Sequence, residues 1–261
     1  MNSIREQDRI QFMVNTVFKA MQILDELANN PNQGVSEIAR TLELPKSSAH
    51  GILETLASES FVERNPESGK YHLGTKLVEL GYRAQLELDI CQIAKPFLQG
   101  LNEEFDETTH LTVLDHDEVL YVDCVESRRR LRTYSVIGIR APLYCTSVGK
   151  AILAFQTDSE IHRIAREKGL ARITAHTIDN EERLMAEVAR IRRDGYAIDD
   201  MEHEEHLRCV GAPIRNAKGE VFASLSLSGP AERNTTERIQ EMVPSIIRAA
   251  AEVSRRMGYR K

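Results

Sequence analysis

The chain has 261 residues, 41% of them hydrophobic and 28% charged, with a formal net charge of −6. It contains no run of about 18 apolar residues, and its first ten residues, MNSIREQDRI, lack the apolar stretch of a signal peptide, so no membrane contact and a cytoplasmic location are expected. Four scattered cysteines, Cys91, Cys124, Cys145 and Cys209, argue for reduced thiols and against a disulfide scaffold. Bulk charge does not advertise a nucleic-acid binder: residues 1–88 hold nine Lys+Arg against twelve Asp+Glu, so any DNA contact must come from local placement of charge.

The polar first ten residues read as a mobile arm. Val14, Phe18, Met21, Leu24 and Leu27 then recur at helical spacing until Asn29-Asn30-Pro31-Asn32 stops the helix. A second helix is expected from about Ser36, with Ile38, Ala39 and Leu42 inward, and Glu43-Leu44 as the turn. Pro45 suits the first position of a third helix, where its missing N–H costs nothing. Along that helix Ala49, Ile52, Leu53 and Leu56 form an apolar stripe, opposite Lys46, Ser47, His50 and Glu54. Phe61–Arg64 and Lys70–Leu73 flank the turn formers Asn65-Pro66-Glu67-Ser68-Gly69 and read as a hairpin. Three helices and a hairpin over residues 11–74 make a winged helix-turn-helix. Lys46, Ser47, Ser48 and His50 sit where a recognition helix meets base edges, while Arg40, Arg64 and Lys70 are placed for phosphates. The alternative is a small helical domain that contacts only protein.

Residues 75–90 read as a linker helix with Leu77, Leu80, Ala84 and Leu88 on one stripe. A lone helix cannot bury such a stripe, so a homodimer is expected. From 91 to 261, strands (109–114, 119–125, 196–198, 209–214, 221–228) mix with helices (148–155, 159–168, 181–194, 235–257), the pattern of an α/β or α+β sensor domain. Three clusters there carry chemistry. Thr146-Ser147-Val148-Gly149-Lys150 leads small hydroxylated residues into a helix start, which favours a carboxylate, although it is not a Walker A loop. His203, His206 and Cys209, three residues apart in an acidic segment, are conceivable Zn²⁺ ligands; a solvated charged loop is the alternative. Ser226 and Ser228 share one face of a strand.

The run from Ile38 to Leu56 resembles the helix-turn-helix of the IclR (isocitrate lyase regulator) family, and Tyr71-His72-Leu73-Gly74 resembles that family's wing and linker start. The helix-start loop, the segment ending Leu207-Arg208-Cys209 and the strand Ser226-Leu227-Ser228 before Gly229-Pro230 resemble its effector domain, so the likeness runs from about Val14 onward. It implies an α+β chain with a GAF/profilin-like effector domain over 91–261, and a ligand-responsive transcription regulator of catabolic genes, often a repressor. It further implies no enzyme activity, no cofactor, a pseudo-palindromic duplex operator as partner, and a dimer or tetramer. Carried over position by position, Ala141, Ser147, Val148, Asp199, Leu207, Cys209, Ser226 and Ser228 line the cavity, with Gly149 at the helix start beside them. Two departures stand out: Gly51 replaces the family's usual Arg, and Glu204, Glu205 and His206 make the rim more polar. The expected effector is an anionic, hydroxylated small molecule, a carboxylic acid held near Ser147, Val148 and Gly149. Asp199 is expected to take a ligand hydroxyl or to pair with Arg208. The alternative from another class is a metal-dependent enzyme or metal sensor built on His203, His206 and Cys209.

Overall fold

The computed structural model describes residues 14–87, 89–133 and 137–260, and it describes no side chains for 84–87. The N-terminal arm and the side chains of Ala84 and Leu88 therefore lie outside the described residues. The chain divides into two compact units between residues 87 and 88.

The first unit runs α1 (Asn15–Asn29), α2 (Val35–Thr41), α3 (Lys46–Ser58), β1 (Val62–Arg64), β2 (Tyr71–Leu73) and α4 (Thr75–Glu87). This is the expected winged helix-turn-helix. Its core is Ile23, Leu27, Ile38, Ile52, Leu53, Val62 and Tyr71, all buried. The face that α1 turns inward differs from the expected one. Ile23 and Leu27 are buried, with Ala20 and Leu24 beside them, whereas Val14, Phe18 and Met21 are exposed together with Val17. Steps of three residues lag a 3.6-residue turn by about 60°, so the series 18, 21, 24, 27 walks around the helix. The helix and its N-cap Val14 in fact carry two apolar stripes, and the one at 14, 17, 18 and 21 is exposed.

Pro45 stands one place earlier than expected, as the N-cap of α3. The tight connection before it uses Glu43 in the left-handed region (φ 52°). In the hairpin, Val62 pairs with Leu73 and Arg64 with Tyr71. Asn65 folds the turn by accepting the backbone N–H groups of Glu67 and Ser68, each at 2.9 Å. Gly69 sits at φ 68°, the region that favours glycine.

The second unit runs α5 (Asp89–Phe105), β3 (Thr108–Asp115), β4 (Glu118–Val125), β5 (Arg140–Pro142), α6 (Ser147–Leu153), α7 (Asp158–Lys168), α8 (Glu181–Asp194), β6 (Ala197–Asp200), β7 (Leu207–Arg215), β8 (Val221–Pro230) and α9 (Thr236–Arg256). The strands form one antiparallel sheet in the order β5-β4-β3-β8-β7-β6. The α+β expectation holds. Alternation of side chains gives the sheet two different faces. One face presents Leu111, Val210, Ala212, Leu225 and Leu227 to α5 and α9, which answer with Ala94, Leu98, Leu101, Ile239, Met242 and Ile246. The other face carries small polar groups: His110 and Thr112 on β3, Ser224, Ser226 and Ser228 on β8, Cys209 on β7 and Asp199 on β6. A second core gathers α6, α7 and α8 around Ala151, Ile152, Ile161, Leu184, Val188 and Ile191. Between the polar sheet face and this core the site opens.

Candidate functional site

In the first unit the sequence builds an exposed polar edge. Burial of Ala49, Ile52 and Leu53 fixes the rotation of α3, so Lys46, Ser47 and His50 face solvent while Ser48 is half-buried. Arg40 on α2 and Arg64 and Lys70 on the wing are exposed too. The Arg64 guanidinium lies 5.8 Å from the centre of the Tyr71 ring. Tyr71 is fully buried, and its hydroxyl donates to Glu54 at 2.9 Å; burial and that carboxylate raise the phenol. Glu54 thus has an internal task on the outer face of α3. Gly51 is exposed, with nothing within 4 Å of the place a Cβ would take.

In the second unit a cavity of about 610 Å³ lies over the polar sheet face. Of the residues expected there, Ala141, Ser147, Asp199, Leu207, Cys209 and Ser228 border it, and Val148, Gly149 and Ser226 do not. Each of those three has a visible reason. Gly149 spends its N–H on the N-cap hydroxyl of Thr146 (3.0 Å), and a Cβ on it would stand 2.6 Å from the Leu143 backbone. Val148 lies in the second core, and a Cβ on Gly211 of β7 would come within 3.2 Å of the Val148 nitrogen. At the α6 start, Thr146 and Ser147 reach the cavity, while Val148 and Gly149 are packed against their neighbours. Ser226 sits behind the wall, where its hydroxyl meets His110 Nδ1 at 3.3 Å; Ser228 reaches the same nitrogen at 3.3 Å.

His110 and Tyr121 complete the floor, their rings edge to face at 5.3 Å. Burial pushes the His110 imidazole down to about 4, so it is neutral, and its Nε2 has no partner among the described residues. The sequence does contain a signal for His110: His110 and Thr112 alternate with Leu111 and Val113 on one strand, which puts polar groups on a single face. The cavity residues Arg132 and Arg140 carry no such signal: Arg132 lies outside the strands, and Arg140 is placed by the pairing of the short β5 with β4.

Asp199 is the centre of the site. It is 2% exposed, and its Oδ1 accepts the N–H groups of Glu202 (2.8 Å) and His203 (3.4 Å). Burial raises its carboxyl to about 7, with the two backbone donors and Lys150 opposing. The expected alternative pairing with Arg208 does not occur. Asp199 and Asp200 point to opposite faces of β6, and Arg208 binds Asp200 at 2.7 Å and the carbonyls of Ala231 and Asn234. Beneath the loop, the buried Lys150 ammonium contacts Glu202 and lies 3.5 Å from Glu187. The metal reading does not gather its ligands: Cys209 is buried in β7, whereas His206 is exposed and pairs with Glu232 at 3.4 Å. Among the described residues no group of three or more His, Cys, Asp or Glu could hold a metal ion. Burial also raises the Cys145 and Cys209 thiols, which keeps both protonated.

Comparison with known proteins decides the family. The family model of the IclR helix-turn-helix domain matches residues 16–66, and that of the bacterial transcriptional regulator IclR C-terminal domain matches residues 83–255. The chain belongs to the IclR family. The HTH-type transcriptional regulator KdgR of Escherichia coli is 37% identical over 246 residues, 94% of each chain. The crystal structure of Thermotoga maritima IclR superposes with a TM-score of 0.78 at 35% identity, covering 95% of this chain and 100% of that one. An IclR homologue from Microbacterium hydrocarbonoxydans, crystallised with 4-hydroxybenzoate, has a TM-score of 0.81 at 26% identity, covering 93% and 98%. These IclR-family relatives are transcriptional regulators, and the chain shares both halves of their architecture. Among the described residues no helix is long and apolar enough to cross a membrane.

Proposed function

We propose that this chain is a ligand-responsive regulator of catabolic genes. It binds a pseudo-palindromic operator through α3 and the wing, and takes a small anionic, hydroxylated effector in the cavity over Asp199. The observation that carries the reading is the presence on one chain of an exposed recognition edge, Lys46, Ser47 and His50, and of a cavity of about 610 Å³ over the polar sheet face. Such a cavity is of a size that suits small molecules. The bound homologue of 26% identity supports an acid of modest size.

The DNA half is tested by two variants on one helix. Lys46→Ala is expected to weaken binding to all duplexes and to reduce the salt slope by about one, as the loss of one phosphate contact does. Gly51→Arg fills open space with a cation, and it replaces glycine inside a helix, which adds roughly 0.5–1 kcal/mol of stability. Tighter binding with a steeper salt slope is expected there. Affinity and slope unchanged in both, by fluorescence anisotropy across a salt series, would take α3 out of the interface.

For assembly we propose a homodimer through the first unit. Val14, Val17, Phe18 and Met21 on α1, and Val78, Leu80 and Tyr82 on α4, are exposed. An exposed apolar area of this kind marks an association surface. Leu80→Glu is expected to shift the protein to monomer in sedimentation velocity; a wild type that is monomeric throughout would refute the assignment.

A further inference from the structure

The outward face of α3 carries a carboxylate among the residues placed to meet DNA. At about 100° per residue, Ser47, His50, Gly51 and Glu54 fall within about a third of the helix circumference, opposite the buried Ala49, Ile52 and Leu53. All four are exposed. Their spacing, i, i+3, i+4 and i+7, is the one by which a homeodomain's third helix reads the major groove. Gly51 stands between Ser47 and Glu54 along the helix, with nothing within 4 Å of where a Cβ would be, so that position puts no side chain beside Glu54.

Glu54 is also held in place. Its anchor is Tyr71, which is fully buried and whose backbone pairs with Gln33, between α1 and α2, through hydrogen bonds of 2.8 and 3.2 Å. The Tyr71 ring lies 5.8 Å from the Arg64 guanidinium of the wing, and its hydroxyl donates to Glu54 Oε1 at 2.9 Å. His50 Nδ1 stands 3.8 Å from the same oxygen. Oε1 is therefore engaged from within the unit, and Oε2 has no partner among the described residues. An untethered surface glutamate can swing away from phosphates; Glu54 is tied to the core by a residue that also touches the wing.

A fixed carboxylate on this face weakens binding to every duplex, because DNA presents a dense row of phosphates. A base that offers it a donor offsets that cost. In the major groove guanine presents two acceptors, thymine an acceptor and a methyl group, and adenine an acceptor beside its amino group. Cytosine presents a donor alone, its N4 amino group. We propose that Glu54 determines specificity at one base pair of each half-site: Oε2 accepts from cytosine N4, and Tyr71 is the positioning residue that holds the carboxylate there. This rests on the DNA-binding reading above and deepens it. Rejection contributes as much as attraction, since an acceptor edge at that position meets Oε2 with no proton between them.

The test uses the full chain and a pool of duplexes randomised over a central segment, selected by binding and sequenced. Single base-pair substitutions in the selected duplex are then compared by fluorescence anisotropy. With the wild type, replacing one particular cytosine in each half-site is expected to cost roughly tenfold in affinity. Glu54→Gln keeps the shape of the side chain and an oxygen for Tyr71. It should move the preference at that position from cytosine to adenine, which glutamine reads through N6 and N7, and should bind unselected duplex more tightly than the wild type does. Glu54→Ala should leave that position without preference. Tyr71→Phe should reduce discrimination there and spare the other positions. Glu59→Gln, the same charge change at the C-cap of α3, should keep the wild-type preference throughout. The proposal is overturned if both Glu54 variants select the wild-type sequence with the same discrimination at every position, or if Glu59→Gln alters the preference as Glu54→Gln does. If the Glu54 variants change that one position but Tyr71→Phe weakens all positions equally, the tyrosine acts only through the fold and its positioning role falls. If the wild type selects no sequence from the pool, the operator reading falls with the proposal.

Discussion

Lys150→Met is expected to destabilise the second unit by about 3–5 kcal/mol, because it strands the buried Glu202 carboxylate rather than merely removing a contact. Lys150 is 2% exposed and serves Glu202 and Glu187 at once. Burial already raises the Glu202 carboxyl, with Lys150 opposing, and its Oε2 has no partner among the described residues. Without the ammonium, Glu202 must bind a proton or open the loop that caps the cavity. For a unit of this size the melting temperature should fall by roughly 10 °C. Adding Glu202→Gln should restore much of that loss, since removing both members of a buried pair costs far less than removing one. Calorimetric melts of the single and double variants decide it. Equal losses in both would mean that Lys150 acts only by packing.

Asp199→Asn is expected to stabilise the protein at pH 8 and to change little at pH 4. The Asp199 carboxyl rises from an ordinary 3.8 to about 7 on folding. Between those values the folded chain holds a proton that the unfolded chain has released. Stability therefore falls as pH rises, by about 1.4 kcal/mol per pH unit. Asp199 contributes fully below pH 4, and that contribution is lost as pH passes 7. The accumulated difference is roughly 4 kcal/mol, spread over the window from pH 4 to 7. Asparagine keeps an oxygen for the N–H groups of Glu202 and His203 and removes the titration. Other carboxylates titrate in the same range, so the readout is the difference between wild-type and variant melts across pH. Parallel curves would show that Asp199 is not the group that titrates there.

Much of the fold was legible because local signals and tertiary packing agree. Helix α8 was expected at 181–194 and spans Glu181–Asp194, since Asn180 caps its start and Gly195 takes the left-handed conformation at its end. Helix α5 went unread because Pro96 and Gly100 interrupt its interior, although Ile90, Cys91, Ala94, Leu98 and Leu101 make its buried stripe. Strand β5 is three residues long and exists only through its pairing with β4. At the site, the alternation of Ser226 and Ser228 correctly gave one shared face, but not that His110 stands between them and that Ser228 alone borders the cavity. On α1 the apolar residues form two stripes, one buried (Ile23, Leu27) and one exposed (Val17, Phe18, Met21), which helical spacing alone does not tell apart. Arg208 was an available partner for Asp199 by proximity in sequence; the period of two along β6 hands it to Asp200 instead.

If occupancy of this cavity changes DNA binding, one titration reveals it. The acid that most stabilises the wild type in a thermal-shift panel of carboxylic, sugar and aromatic acids is added to a labelled operator complex. The comparison is with the variant carrying Ser226→Ala and Ser228→Ala. The wild type should respond to the ligand. The variant has lost both hydroxyls on His110 and one wall contact, so it should bind operator normally without ligand and need a roughly tenfold or greater excess to respond. A variant that responds at the wild-type ligand concentration would contradict the account, because the switch would then lie outside this cavity.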